Sequence, residues 1–203
     1  MSPETRSGAD EVTFARPTGA RSDRIHQAIL DATSELLDEG GFPAATVDAI
    51  AARSGASKAT IYKHWPSRTA VAAEAFGAMM AQALPLPDTG SAAGDLTEQV
   101  VRVSAFYASA RGEVFAQLLA ACVDDPAGAT YFREYFLSGR RAAITTLWQR
   151  AADRGEVDAT VDINDVIDIL FGPLIFRRMT GHYTLTEEHA RRLAATALRG
   201  LLT

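Results

Sequence analysis

The chain has 203 residues, of which 47% are hydrophobic and 22% charged, with a formal net charge of −5 and a mean hydropathy of −0.02. That balance excludes an intrinsically disordered chain, and no apolar run approaches the ~18 residues of a membrane span. A single cysteine, Cys122, excludes an internal disulfide framework and a cysteine zinc cluster. Taken alone, the negative charge also speaks against a nucleic-acid partner.

Residues 1–20 mix Pro, Glu, Asp, Gly and Arg without the apolar core of a secretory signal, so a flexible arm and a cytoplasmic protein are expected. Beyond them Ala, Leu, Arg and Glu dominate, Pro is sparse and alternating β-branched stretches are missing, which predicts an all-α fold. Helix one is expected from Ser22 as N-cap, with Ile25, Ala28, Ile29, Ala32, Leu36 and Leu37 at helical spacing and a left-handed stop at Gly40 and Gly41. Helix two runs from Thr46 as cap to Gly55. Helix three is capped by Ser57 and ends near Trp65. After Pro66, Ser67 caps a fourth helix reaching about Ala83. Residues 85–94 are rich in Pro and Gly and read as a linker or an inter-helix loop. Further helices are expected over 95–110, 112–123, 128–153, 163–181 and 186–202, the last with Leu185 as staple and Thr186 as cap.

Residues 46–65 have the requirements of a helix-turn-helix. Ala51 is small where the second helix crosses, Gly55 suits a turn with positive φ, and Ile61 can face back to the core. On a helical wheel Ile61 and Trp65 form the buried stripe. Ala59, Thr60 and Lys63 then face outward, flanked by Tyr62, with Ser57 and Lys58 at the helix start, the end that enters a major groove deepest. From Ala49 to Ala73 there is no Asp or Glu, while Arg53, Lys58, Lys63 and Arg68 contribute four positive charges, leaving −9 on the remainder against a total of −5. The local field, not the net charge, is what DNA meets.

At these residues the sequence closely resembles the TetR family of bacterial transcriptional regulators. The match runs from about Arg24 to Ala75, through Leu36-Leu37-Asp38-Glu39-Gly40-Gly41-Phe42, Thr46-Val47, Ile50-Ala51, the stretch Ser54 to Tyr62 and His64-Trp65-Pro66-Ser67-Arg68. A weaker match lies over Phe171 to Arg178 and on to Thr186. The resemblance implies a three-helix helix-turn-helix DNA-binding domain (21–66) followed by a larger helical-bundle regulatory and dimerisation domain (67–203), helix 67–83 connecting them. It also implies a homodimer joined through the last two helices. The implied activity is repression at a palindromic double-stranded DNA operator, with release by an unknown small-molecule effector. Thr46, Ser57, Lys58, Ala59, Thr60, Tyr62, Lys63 and His64 match positions that commonly face DNA, and Arg68 matches one that can touch a phosphate. Arg16, Arg21 and Arg24 could reach phosphate or the minor groove, or have no role.

In the regulatory part, Phe106, Phe115, Leu118, Cys122, Trp148, Phe171, Phe176 and Met179 are candidates for a pocket between helices, with an apolar ligand favoured; each is also an ordinary core residue by type. The series Asp158, Asp162, Asp165 and Asp168 lacks calcium-loop spacing, so no metal and no cofactor are expected. Nucleophile-elbow, zincin, Walker and dinucleotide motifs are absent, so an enzyme is not expected. The competing readings are a helical small-molecule-binding protein or enzyme with a vestigial helix-turn-helix, which would predict acids on helix three, and a transcriptional activator.

Overall fold

The computed structural model describes residues 17–81 and 86–202. The arm before Pro17, Arg16 included, and the expected end of helix four at Ala83 lie outside them. The described chain is helical throughout: α1 (Ala20–Ala44), α2 (Val47–Ser54), α3 (Lys58–His64), α4 (Arg68–Met80), α5 (Ala92–Ala108), α6 (Ala110–Ala121), α7 (Pro126–Phe132), α8 (Ser138–Asp153), α9 (Ile163–Thr180) and α10 (Glu187–Leu198).

Caps explain most of these boundaries. The side chains of Thr46, Ser57 and Ser67 each accept a backbone N–H three residues on, at 3.1 Å. Each satisfies an orphan donor of the first turn. Ser91, Ser109, Asp125 and Thr186 cap α5, α6, α7 and α10 in the same manner, and Asp162 caps α9 by accepting from Asn164 N, two residues on. Helix one departs from expectation at its start. Gly19 is its N-cap and makes no side-chain bond, while the Ser22 hydroxyl donates back to Pro17 O at 2.9 Å. The helical backbone breaks at Gly40 and Gly41, as read from the sequence, and one further turn through Pro43 follows. Gly41 has φ +68°, and a Cβ there would lie 2.6 Å from Gln117 Oε1. That close approach lets the Gln117 carbonyl accept the Phe42 N–H at 2.8 Å and ties α1 to α6.

The single helix expected over 128–153 is interrupted. A π turn, Arg133–Leu137, joins α7 to α8, and the helical run begins two residues earlier, at Pro126, whose missing N–H costs nothing in a first turn. The last helix ends at Leu198 instead of 202, and the tail then makes an isolated bridge from Leu202 to Val157.

Helix α4 is the central pillar. Every residue from Thr69 to Gly77 is buried, as expected of a helix with neighbours on all sides. It packs on α1 at the head end and on α7 and the π turn in the body. At Gly77 the backbones come so close that a Cβ would sit 2.4 Å from Tyr135 O. Beside it, Phe76, Phe106, Phe115, Phe132 and Phe136 form one aromatic cluster, with ring centroids 5.1 Å apart for Phe76–Phe136 and 5.5 Å for Phe115–Phe136.

Candidate nucleic-acid interface

The turn between α2 and α3 is made at Gly55, in the left-handed region at φ +71°. It aims α3 so that Ile61 and Trp65 are buried against the core of α1 and α4. The opposite face then carries Ala59, Tyr62 and Lys63 in solvent, with Tyr62 51% exposed. Lys63 forms no ion pair among the described residues. The Ser57 and Thr60 hydroxyls lie 2.8 Å apart at the start of the helix and share a hydrogen bond. Thr46 is exposed at the start of α2, its side chain occupied with the cap.

Three residues are placed differently from expectation. His64 does not face outward: it is buried, its ring against those of His26 and Trp65. The reason is a polar network beneath α3. Glu74 of α4 accepts from Trp65 Nε1 at 2.6 Å and is paired with His26 Nε2 at 2.8 Å, and His26 Nδ1 lies 3.3 Å from His64 Nδ1. An ionised carboxylate only accepts, so Nε2 of His26 carries a proton; in a neutral ring Nδ1 is then the acceptor and His64 the donor.

Arg53 reaches back towards α1. Its guanidinium is clamped by Glu35 at 3.1 Å and Glu39 at 2.9 Å. Those contacts hold the arginine above its ordinary pKa and Glu39 below its own. The stretch without acids is thus not free of acids in space, because α1 supplies them. Arg68 points inward as well. Its Nε donates to Ala45 O at 2.9 Å, Nη2 donates to Phe42 O, and the guanidinium lies 4.0 Å from the Phe42 ring centre. There it pins the α1–α2 connection, and burial lowers its pKa.

Sequence reasoning gave little weight to two residues that the fold brings to this surface. Arg21 and Arg24, on the first turns of α1, line a groove of about 390 Å³ together with Ser54, Gly55, Ser57 and Thr60. Neither arginine has an ion pair among the described residues. Asp48, one residue outside the acid-free stretch, pairs with Lys58.

In the body, Phe106, Phe115, Leu118, Trp148 and Phe171 belong to or pack against the core, and Cys122 is partly buried beside it, its thiol pushed up by burial. Phe176 and Met179 do not: they are 61% and 42% exposed on the outer face of α9, as is Ile169. A face of α9 distinct from the one that meets α5 carries them. Among the described residues no group of three His, Cys, Asp or Glu could hold a metal ion, and no helix is long and apolar enough to cross a membrane.

Comparison with known proteins places the family and the fold. Residues 29–75 match the family model for bacterial regulatory proteins of the tetR family, and residues 86–197 match the tetracyclin repressor-like C-terminal domain. The chain is 35% identical over 181 residues to the HTH-type transcriptional regulator YdeS of Bacillus subtilis, covering 89% of this chain and 91% of that one. It is 31% identical over 198 residues to the HTH-type transcriptional regulator Rv1556 of Mycobacterium tuberculosis, covering 96% and 94%. Among solved structures, the TetR family transcription regulator SCO0332 superposes with a TM-score of 0.74 at 28% identity, covering 87% of this chain and 98% of that one. The fold alone is shared with FadR from Bacillus subtilis, solved in complex with stearoyl-CoA, at 17% identity and a TM-score of 0.58, covering 86% and 98%. With its helix-turn-helix head and helical C-terminal body, the chain belongs to the TetR family and is a DNA-binding transcriptional regulator.

Proposed function

We propose that the protein is a cytoplasmic homodimer that represses transcription from a palindromic operator and leaves DNA when a small molecule enters its regulatory body. It acts by binding, not by catalysis. The reading head is 21–66, and the body begins at α4. The observation that carries this reading is the link between the two: α3 presents Ala59, Tyr62 and Lys63 outward, while Trp65 and His26 are bonded to Glu74 on α4. A shift of α4 in the body would therefore move the recognition helix. Phosphates are held by Thr46, Ser57 and Thr60 at the helix starts and by Arg21 and Arg24 across the groove between them, where backbone donors and cations converge.

The effector is apolar with one hydrogen-bonding group. Phe106 and Phe115 supply an aromatic interior, and two buried polar atoms on the facing helices α5 and α8, Ser104 Oγ and Trp148 Nε1, have no hydrogen-bond partner among the described residues. Dimerisation through α9 and α10 is supported by the exposed apolar residues Ile169, Phe176 and Met179, a stripe that a two-fold partner would cover.

The test is to select a binding duplex from a random-sequence library and titrate it by fluorescence anisotropy at rising salt. Affinity is expected to fall steeply, with a log–log slope of about −0.9 per phosphate contacted. A flat response refutes the DNA-binding face. Sedimentation at micromolar concentration is expected to give a dimer and Phe176→Glu a monomer; a monomeric wild type refutes the α9–α10 interface.

A further inference from the structure

Asp48 stands in the first turn of α2, and Lys58 is the first residue of α3. The turn at Gly55 brings their side chains together, so that Lys58 Nζ and Asp48 Oδ1 form an ion pair while remaining 58% and 74% exposed. An exposed pair of this kind adds little to stability, while the carboxylate by itself suits the first turn of α2, where the helix dipole favours negative charge. Against DNA phosphates that carboxylate is repulsive. It also opposes the use of Lys58 as a simple phosphate anchor, and its hydrogen bond holds the ammonium above its ordinary pKa.

The edge of a base pair offers the opposite chemistry. In the major groove guanine presents two acceptors, O6 and N7, and its partner cytosine presents the N4 amino donor beside them. An ammonium touching a carboxylate carries the matching donor and acceptor side by side. Lys58 is also rightly placed, since the N-terminal residues of a recognition helix are those that contact base edges, and the ion pair brings Asp48 of α2 beside it. Arg53 is different: its acids lie on α1, and they only neutralise it.

We propose that Asp48 and Lys58 read one C·G base pair in each half-site as a unit, Lys58 donating to guanine O6 or N7 and Asp48 accepting from cytosine N4. This rests on the DNA-binding reading above and adds to it the residue pair that sets sequence preference. Asp48 has a second effect of the same origin: it keeps Lys58 off the phosphates of non-cognate DNA.

The experiment is selection of duplexes from a random-sequence library by the full-length wild type, Asp48→Ala and Lys58→Ala, with preference scored position by position. Both variants are expected to lose the C·G preference at the same base pair, by about tenfold, and to keep the others. Asp48→Ala is also expected to bind random duplex more tightly, with a salt slope steeper by about 0.9, because Lys58 is then released to a phosphate. Unchanged preferences, or losses at different positions in the two variants, overturn the proposal. So does a uniform weakening at all positions with a lowered thermal midpoint, which would make Asp48 merely structural. If the wild type itself enriches no sequence, the DNA-binding reading fails first, and the two failures are thereby distinguished.

Discussion

The Glu74 network beneath the recognition helix invites the most direct test. Glu74→Ala removes the acceptor for two buried donors, Trp65 Nε1–H at 2.6 Å and His26 Nε2–H at 2.8 Å. Trp65, His26 and Glu74 are all buried, so water does not readily replace the lost oxygens. Each buried donor left unsatisfied costs about 1–3 kcal/mol, which puts the variant at roughly 2–6 kcal/mol below wild type. Glu74→Gln separates the bonds from the volume. Its carbonyl oxygen can keep the Trp65 bond, while its amide group donates towards His26 and forces a change of tautomer through to His64. About 1–3 kcal/mol is expected for this milder change. Urea unfolding followed by circular dichroism, at one fixed protein concentration because dimers unfold with mass action, measures both. With a urea m-value of about 1–3 kcal/mol/M, the alanine midpoint falls by on the order of 2 M. A loss for Glu74→Ala below about 1 kcal/mol would refute the view that the network holds α3 to α4.

Three further outcomes follow from other parts of the fold. Gly77→Ala lowers the thermal midpoint, because its Cβ would stand 2.4 Å from the Tyr135 carbonyl oxygen, and this clash outweighs the ~1 kcal/mol that alanine gains in helix propensity; a raised midpoint would show that α4 and the π turn separate freely. Stability fails at acid pH in part through Asp95. Burial works to raise its carboxyl, but hydrogen bonds from Thr89 and the Arg154 guanidinium prevail and hold it below its ordinary value of 3.8. A depressed folded-state value means that the stabilisation is present above 3.8 and is lost as pH falls below it, so the gap between wild type and Asp95→Asn closes in that range; a gap independent of pH would be the wrong sign. On selected duplex, Lys63→Ala is expected to cost about 1–3 kcal/mol of binding if Lys63 reads a base, and Arg53→Ala well under 1 kcal/mol, since its charge is already met by Glu35 and Glu39. The reverse order in anisotropy titrations would mean that the clamp opens on DNA.

How much of the molecule was legible in the sequence varies with the range of the interaction involved. The caps Thr46, Ser57, Ser67, Asp162 and Thr186, the left-handed turn at Gly55 and the buried pair Ile61 and Trp65 are local features. Their physics is contained in a few neighbouring residues, and the structure has them where the sequence says. The same holds for the all-α class and the helix-turn-helix. The π turn at 133–137 was not legible, because its backbone conforms to a packing surface on α4 that no local pattern announces. Nor was the outward position of Phe176 and Met179, since residue type says that a side chain is apolar and not which neighbour is present to cover it.

Charge shows the division most clearly. Sequence alone determines that residues 49–73 carry four positive charges and no acid, within a chain of net charge −5. Only the tertiary structure decides which of those charges reach solvent. Arg53 is met by Glu35 and Glu39 from α1, Arg68 is turned onto backbone carbonyls and an aromatic ring, Lys58 is joined to Asp48, and Lys63 is left facing outward. The reason is that Coulomb attraction acts across space within a few ångströms. The acids that matter are those the fold brings near, whatever their distance along the chain.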